Sequence, residues 1–155
     1  MVKGLTDSRD TTAIVRGHSV ADIPLGLSTR VSKTISESDV YLFAGISGDF
    51  DQNHVDEEFC KRTSLRHRVV HGTLLLGYTS AASAQILHDF DRPMVSVGYD
   101  RVRFLKPVYF GDTITVDYQI VERRPEKERL VSNIQVTNQR GELVCVATHL
   151  MQLVD

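Results

Sequence analysis

Residues 72–87 read Gly72-Thr73-Leu74-Leu75-Leu76-Gly77-Tyr78-Thr79-Ser80-Ala81-Ala82-Ser83-Ala84-Gln85-Ile86-Leu87, a run without a charged side chain. Small residues (Gly77, Ser80, Ala81, Ala82, Ser83, Ala84) are spread around its helical circumference, so no face is polar and every face is thin. That composition predicts a buried helix that other backbones approach closely, and the flanking sequence reads as its cover.

Upstream, Ser36-Glu37-Ser38-Asp39 has the form of a capping box. Val40, Phe43, Ala44 and Ser47 follow on one helical face, with Gly48 as the stop. A second short helix is expected to start at Asp56, where Glu57 and Glu58 suit the positive end of its dipole. Downstream of Pro93 the period changes to two. Val95, Val97 and Tyr99 share one parity and Val102 and Phe104 the other, which predicts a bulge near Asp100-Arg101. Ile114, Val116, Tyr118 and Ile120 alternate cleanly. Two more strands are expected over 129–138 and 142–154, with turns at Pro125-Glu126-Lys127-Glu128 and Asn138-Gln139-Arg140-Gly141. The last run is apolar on both parities, so cover on both faces is expected. The fold class is therefore α+β: helices first, then an antiparallel sheet wrapped around one buried helix. Residues 1–25 lack periodicity and read as a loose N-terminal arm with at most one short strand, tethering rather than catalytic; residues 26–155 form the domain. A sheet of this size has edges that need cover, so a homodimer, or a higher oligomer built from dimers, is expected.

The chain has 155 residues; its ten glycines added to the 41% apolar fraction give about 47–48%, inside the globular norm for a single domain. Eighteen basic against twenty acidic residues leave a net charge of −2, so no field exists to hold nucleic acid or an anionic membrane. No apolar run is long enough to span a bilayer. The N-terminus lacks the apolar core of a secretory signal, and Asp7 and Asp10 speak against an organelle transit peptide. Cys60 and Cys145 are too few for a disulfide framework. A soluble, cytoplasmic protein is expected.

The stretch richest in chemistry is Gly48-Asp49-Phe50-Asp51-Gln52-Asn53-His54-Val55-Asp56, a polar loop between two helices. Asp49 and His54, five residues apart, point to one spot only if the loop folds back on itself, since helix and strand both separate them. A carboxylate and an imidazole converging on one water form a general acid–base pair. The plainer alternative is that Asp49 satisfies loop amides while His54 or Asp56 caps the next helix. A second feature is Val69-Val70-His71-Gly72, the entrance to the small-residue helix. The Gly72 N–H, at a helix N-terminus, suits a carbonyl oxygen that gains charge during reaction; alternatively Gly72 serves only close packing. His71 reads as a hydrogen-bonded structural histidine.

Ala44-Gly45-Ile46-Ser47-Gly48-Asp49, His54 five residues later, Val70-His71-Gly72 and the small-residue helix together resemble the MaoC-like (R)-specific enoyl-CoA hydratases, which are single-domain hotdog enzymes. The resemblance runs from about residue 30 to 153. It implies that Asp49 and His54 are the catalytic pair, binding one water between them, and that the Gly72 N–H polarises the thioester carbonyl. Ser80, eight residues further along the helix, matches a serine near the active site of some members. The implied reaction is reversible syn addition of water to a trans-2-enoyl thioester, giving the (R)-3-hydroxyacyl thioester; the enzyme is a hydro-lyase. No metal or redox cofactor is implied, and the CoA or acyl-carrier-protein thioester is substrate. One departure stands out. The family pattern Asp-x-Asn-Pro-x-His becomes Asp49-Phe50-Asp51-Gln52-Asn53-His54, which removes a fixed φ and adds a like charge near Asp49.

An apolar acyl pocket is expected beside the helix, under Phe50, Leu76 and Tyr78. Arg66, Arg68, Arg101, Arg103 and Lys106 are candidates for CoA phosphates. Two rivals share the fold: an acyl-CoA thioesterase, which commonly carries an acid on or near the buried helix that residues 72–87 lack, and a non-catalytic acyl-CoA-binding protein. A metal set of His54, Asp56, His67 and His71 matches no familiar ligand spacing.

Overall fold

The computed structural model describes residues 19–154 apart from 89 and 91, so most of the expected N-terminal arm lies outside the described residues. Strands β1 (Ser28–Thr34), β2 (Met94–Phe104), β3 (Thr113–Arg124), β4 (Arg129–Asn138) and β5 (Leu143–Leu153) form one antiparallel sheet in the order β1-β3-β4-β5-β2. Helices α1 (Glu37–Ser47), α2 (Gln52–Val55) and α3 (Glu57–Lys61) precede α4 (Gly72–Ile86), which packs against the sheet. This is the expected α+β hotdog arrangement. Among the described residues no helix is long and apolar enough to cross a membrane.

The local signals act as their chemistry dictates. Ser36 Oγ accepts from the Asp39 amide (3.2 Å), and the Asp39 carboxylate accepts from the Ser36 amide (2.7 Å), closing the capping box of α1. Gly48 ends α1 with φ 80°, the left-handed conformation that only glycine adopts freely. On β3, Ile114, Val116, Tyr118 and Ile120 are all buried and join Leu75, Ala82 and Ile86 of α4 in one core. Each apolar side chain so buried contributes about 1.5–3 kcal/mol. A slip of one residue in the β3–β4 pairing would turn this whole row to solvent, which is why the register holds.

Four features differ from the sequence reading. First, α4 is not enclosed: Thr73, Gly77, Ser80, Ala81, Ala84 and Gln85 are exposed, because five strands cover only one side of it. Second, Val95 and Val97 are 41% and 45% exposed, since β2 is an edge strand; it bulges twice, between Ser96 and Gly98 and between Asp100 and Arg103. Third, one face of β5 is buried, whereas Val146, Thr148, Leu150 and Gln152 on the other are only half-buried. Fourth, residues 19–23 are not loose. Val20 and Ile23 are fully buried, and the Glu128 carboxylate anchors them by accepting from Ser19 Oγ (3.1 Å) and the Val20 amide (3.0 Å).

One buried group makes stability depend on pH. His149 on β5 is enclosed against Tyr99 and Tyr118, and burial pushes its pKa down to about 4. The unfolded chain, with an ordinary histidine near 6.5, binds the proton that the folded ring refuses. Stability is therefore full above about pH 6.5 and falls as pH drops towards 4. The expected loss between pH 7 and 4.5 is about 2–3 kcal/mol, read from urea midpoints, and His149→Phe should flatten that limb.

Candidate active site

The loop after α1 folds back through short side-chain bonds. The Asp49 amide donates to Ser47 Oγ (3.2 Å), Asp49 Oδ1 accepts from the Asp51 amide (3.2 Å), and Asp51 Oδ1 accepts from the Asn53 amide (2.9 Å). Asp51 thereby caps α2, a one-turn helix that the sequence reading left as loop. Asp56 caps α3 through the Phe59 amide (2.8 Å), as expected. The turn of α2 carries His54 back over Asp49. His54 Nδ1 lies 2.7 Å from the Val69 carbonyl and donates to it, which leaves Nε2 as the basic nitrogen. The Val69 amide returns a bond to the Asn53 carbonyl (2.9 Å), so the ring and its acceptor are fixed to each other.

His71 completes the cluster. It is buried, its Nε2 donates to the Asp49 backbone carbonyl (3.0 Å), and Asp49 Oδ2 lies 3.9 Å from the same nitrogen. Its ring stacks on His54 with centroids 3.7 Å apart at 26°, and Phe43 closes the other side at 4.9 Å. His71 Nδ1 is buried with no partner among the described residues, a cost of about 1–3 kcal/mol that the stack offsets. His71 is buried and hydrogen-bonded, as the sequence reading expects, but the stacking had no sequence signal. A carboxylate oxygen of Asp49 and one nitrogen each of His54 and His71 lie within 4.8 Å of one another. That is the separation of two groups that share one water through ordinary hydrogen bonds. Asp49 is about half exposed and His54 half-buried, so water reaches both.

The same three residues are the set that offers itself to a metal ion. Two features disfavour it: the imidazoles lie face to face, so their in-plane lone pairs run alongside rather than converge, and His71 Nε2 is engaged by a carbonyl. Asp56 and His67 stand apart, Asp56 as a cap and His67 on Glu57 (2.7 Å).

Gly72 opens α4 directly after His71. His71 at the N-cap supplies no side-chain bond, so the first amides of α4 have no capping side chain. A Cβ at Gly72 would stand 2.7 Å from the Phe104 ring, so packing and backbone exposure both call for glycine. Ser80 does not join this group. It lies about 12 Å along the helix axis from Gly72 and lines a separate cavity of ≈ 440 Å³ with Ser83, Leu87 and Phe90. The pocket expected under Phe50, Leu76 and Tyr78 is not formed by them. Phe50 is exposed, and Tyr78 faces β1 and β3 in a smaller cavity, because side chains two apart on a helix point in different directions. Of the candidate phosphate ligands, Arg68 is spent on Glu37 (2.5 Å) and on the Phe110 ring, and Lys106 on Glu142 (2.6 Å); Arg66, Arg101 and Arg103 are exposed.

Comparison with known proteins points to one family. The family model described as MaoC like domain matches residues 11–141. The chain is 38% identical over 111 residues to the (R)-specific enoyl-CoA hydratase of Rhodospirillum rubrum, covering 72% of this chain and 75% of that protein. It is 34% identical over 108 residues to the 3-hydroxybutyryl-CoA dehydratase of Methylorubrum extorquens, covering 70% and 67%. Among solved structures, the (R)-hydratase of Aeromonas caviae involved in PHA biosynthesis superimposes with a TM-score of 0.78 at 26% identity, over 85% of this chain and 98% of that one.

Proposed function

The chain belongs to the MaoC-like dehydratase family, and on that premise we propose that it is a hydro-lyase adding water reversibly to trans-2-enoyl thioesters to give (R)-3-hydroxyacyl thioesters. The observation that carries the proposal is the fold-back that brings a carboxylate oxygen of Asp49 and a ring nitrogen of His54 within 4.8 Å of each other, a residue away from the start of α4. Asp49 takes a proton from the water as its oxygen bonds to the β-carbon. The alkene electrons move onto the α-carbon and the thioester oxygen, where the Gly72 N–H stabilises the enolate-like charge. His54, with its tautomer fixed by Val69, accepts from the water at Nε2 and orients it, and the proton taken by Asp49 passes to the α-carbon on the same face, which restores the carboxylate. Conjugation to the thioester already activates the double bond, so the proposal calls on no cofactor. The thiol is CoA or an acyl carrier protein, and the protein works in the cytoplasm. The apolar edge of β2 and the thin open face of α4 suit a second copy, and the proposed assembly is a homodimer or a higher oligomer of dimers.

Loss of enoyl-thioester absorbance over a panel of acyl groups, with chiral analysis of the product, tests the proposal. Formation of (R)-3-hydroxyacyl-CoA supports it. Free thiol released without hydration would mark a thioesterase, and tight binding without turnover a ligand-binding protein. Gly72→Ala probes the carbonyl site. Phe104 is half exposed and can swing away from the new methyl group, so the fold should survive with Tm within a few degrees. The methyl and the displaced ring crowd the approach to the amide, and kcat/KM should fall by about tenfold or more.

A further inference from the structure

A cation stands where the proposed reaction has no direct use for one. The side chain of Arg68 is only 20% exposed and lies between α1, α3 and Phe110. Its Nη1 donates to Glu37 Oε1 (2.5 Å), on the first residue of α1, and to Tyr41 Oη (3.1 Å), one turn further along. Its Nε lies 3.4 Å from Glu57 Oε2 on α3, and the same oxygen accepts from the Arg68 amide (3.1 Å). The guanidinium carbon stands over the Phe110 ring, 4.6 Å from its centroid.

Stability alone gives no reason for a cation here, because apolar side chains of similar volume often replace a buried ion pair without loss. Its place in the chain does. The next residue, Val69, supplies the carbonyl that accepts from His54 Nδ1 (2.7 Å) and the amide that donates to the Asn53 carbonyl (2.9 Å). Those two bonds hold α2, a four-residue helix too short to hold itself. Beyond Val69, the Val70 amide donates to the Val108 carbonyl (2.8 Å). Arg68 fastens this segment to α1, which runs into Asp49, and to α3, which follows His54. A lysine could neutralise one of the two carboxylates. Only a flat fork meets Glu37, Tyr41, Glu57 and the Phe110 face together.

We propose that Arg68 is a positioning residue, which holds the Val69 carbonyl against α1 so that the His54 imidazole keeps one tautomer and one aim. Only the kinetic consequence rests on the hydratase reading. The test compares the full-length wild type with Arg68→Met, Glu37→Ala and the double variant, by kcat and KM on a trans-2-enoyl-CoA and by ¹⁵N NMR of the histidine rings, with His54→Gln to assign the His54 signals. Arg68→Met keeps the apolar stem. It should lower kcat about tenfold or more with KM within about threefold, as displacement of a reacting group does. The two ring nitrogens of His54, distinct as donor and acceptor in the wild type, should move towards a common shift. Glu37 is 56% exposed, so Glu37→Ala tests the clasp without touching the core. It should lower kcat about threefold, and the double variant should be no slower than Arg68→Met alone. A purely structural role would lower Tm and leave kcat and the ring shifts of the folded protein unchanged, which overturns the proposal. A raised KM with kcat intact also overturns it, since the guanidinium would then bind substrate, as does a double variant slowed by the product of the single effects. If the wild-type protein hydrates no enoyl-CoA, the hydratase reading fails, and the His54 shifts still decide whether Arg68 positions the ring.

Discussion

Asp49→Asn should lower the hydration rate on the order of 10²- to 10⁴-fold while leaving the fold intact. The amide matches the carboxylate in shape and still accepts from the Asp51 amide, so the bend after Gly48 is kept. The side chain is 48% exposed and belongs to no core cluster, so the change in stability should stay within about 0.5 kcal/mol. What the amide lacks is basicity, and no neighbouring carboxylate is arranged to replace it: Asp51 is turned to the Asn53 amide and Asp56 to that of Phe59. The enoyl absorbance assay gives kcat and a thermal melt reports the fold. A variant with near-wild-type rate and an unchanged melt would remove Asp49 from the chemistry.

His54→Gln should cost 10²-fold or more in rate, with a modest stability penalty. Glutamine can still donate to the Val69 carbonyl, but it presents no second basic nitrogen to the water. It also gives up the stack on His71, worth about 0.5–1.5 kcal/mol. The double variant Asp49→Asn/His54→Gln is informative because both residues are assigned to one water. Its rate should lie close to that of the slower single variant, since groups acting as a unit are non-additive. A double variant slowed by the product of the two single effects would mean that the residues act on separate steps.

How far the sequence reached depended on the range of each signal. Capping boxes, a left-handed glycine, an uncharged small-residue run and two-residue alternation are local, and they placed α1 and α4 almost to the residue and the buried row of β3. The spacing of Asp49 and His54 required a fold-back, and the structure contains one. The stack of His71 on His54 joins residues seventeen positions apart through a tertiary contact that no periodicity announces. The same holds for His149, whose partners Tyr118 and Ser96 come from two other strands. The one-turn helix α2 is too short to show a period, although its cap Asp51 stands in the sequence where the family pattern has asparagine. Apolar content pointed to a cavity under Leu76 and Tyr78, whereas the cavity beside α4 that Ser80 and Ser83 line opens about two turns on, at positions whose side chains are too small to fill it.

The thin side of α4 carries a constraint that the polypeptide does not impose on itself. Among the described residues, an extra carbon on Gly77 would meet no atom beyond its chain neighbours and its own helix backbone within 4 Å, and Ser80 and Ala84 are also exposed. Bulkier residues there would leave folding of one copy untouched. In the proposed dimer this surface meets the second copy, so sequence variation along it would track assembly and not stability.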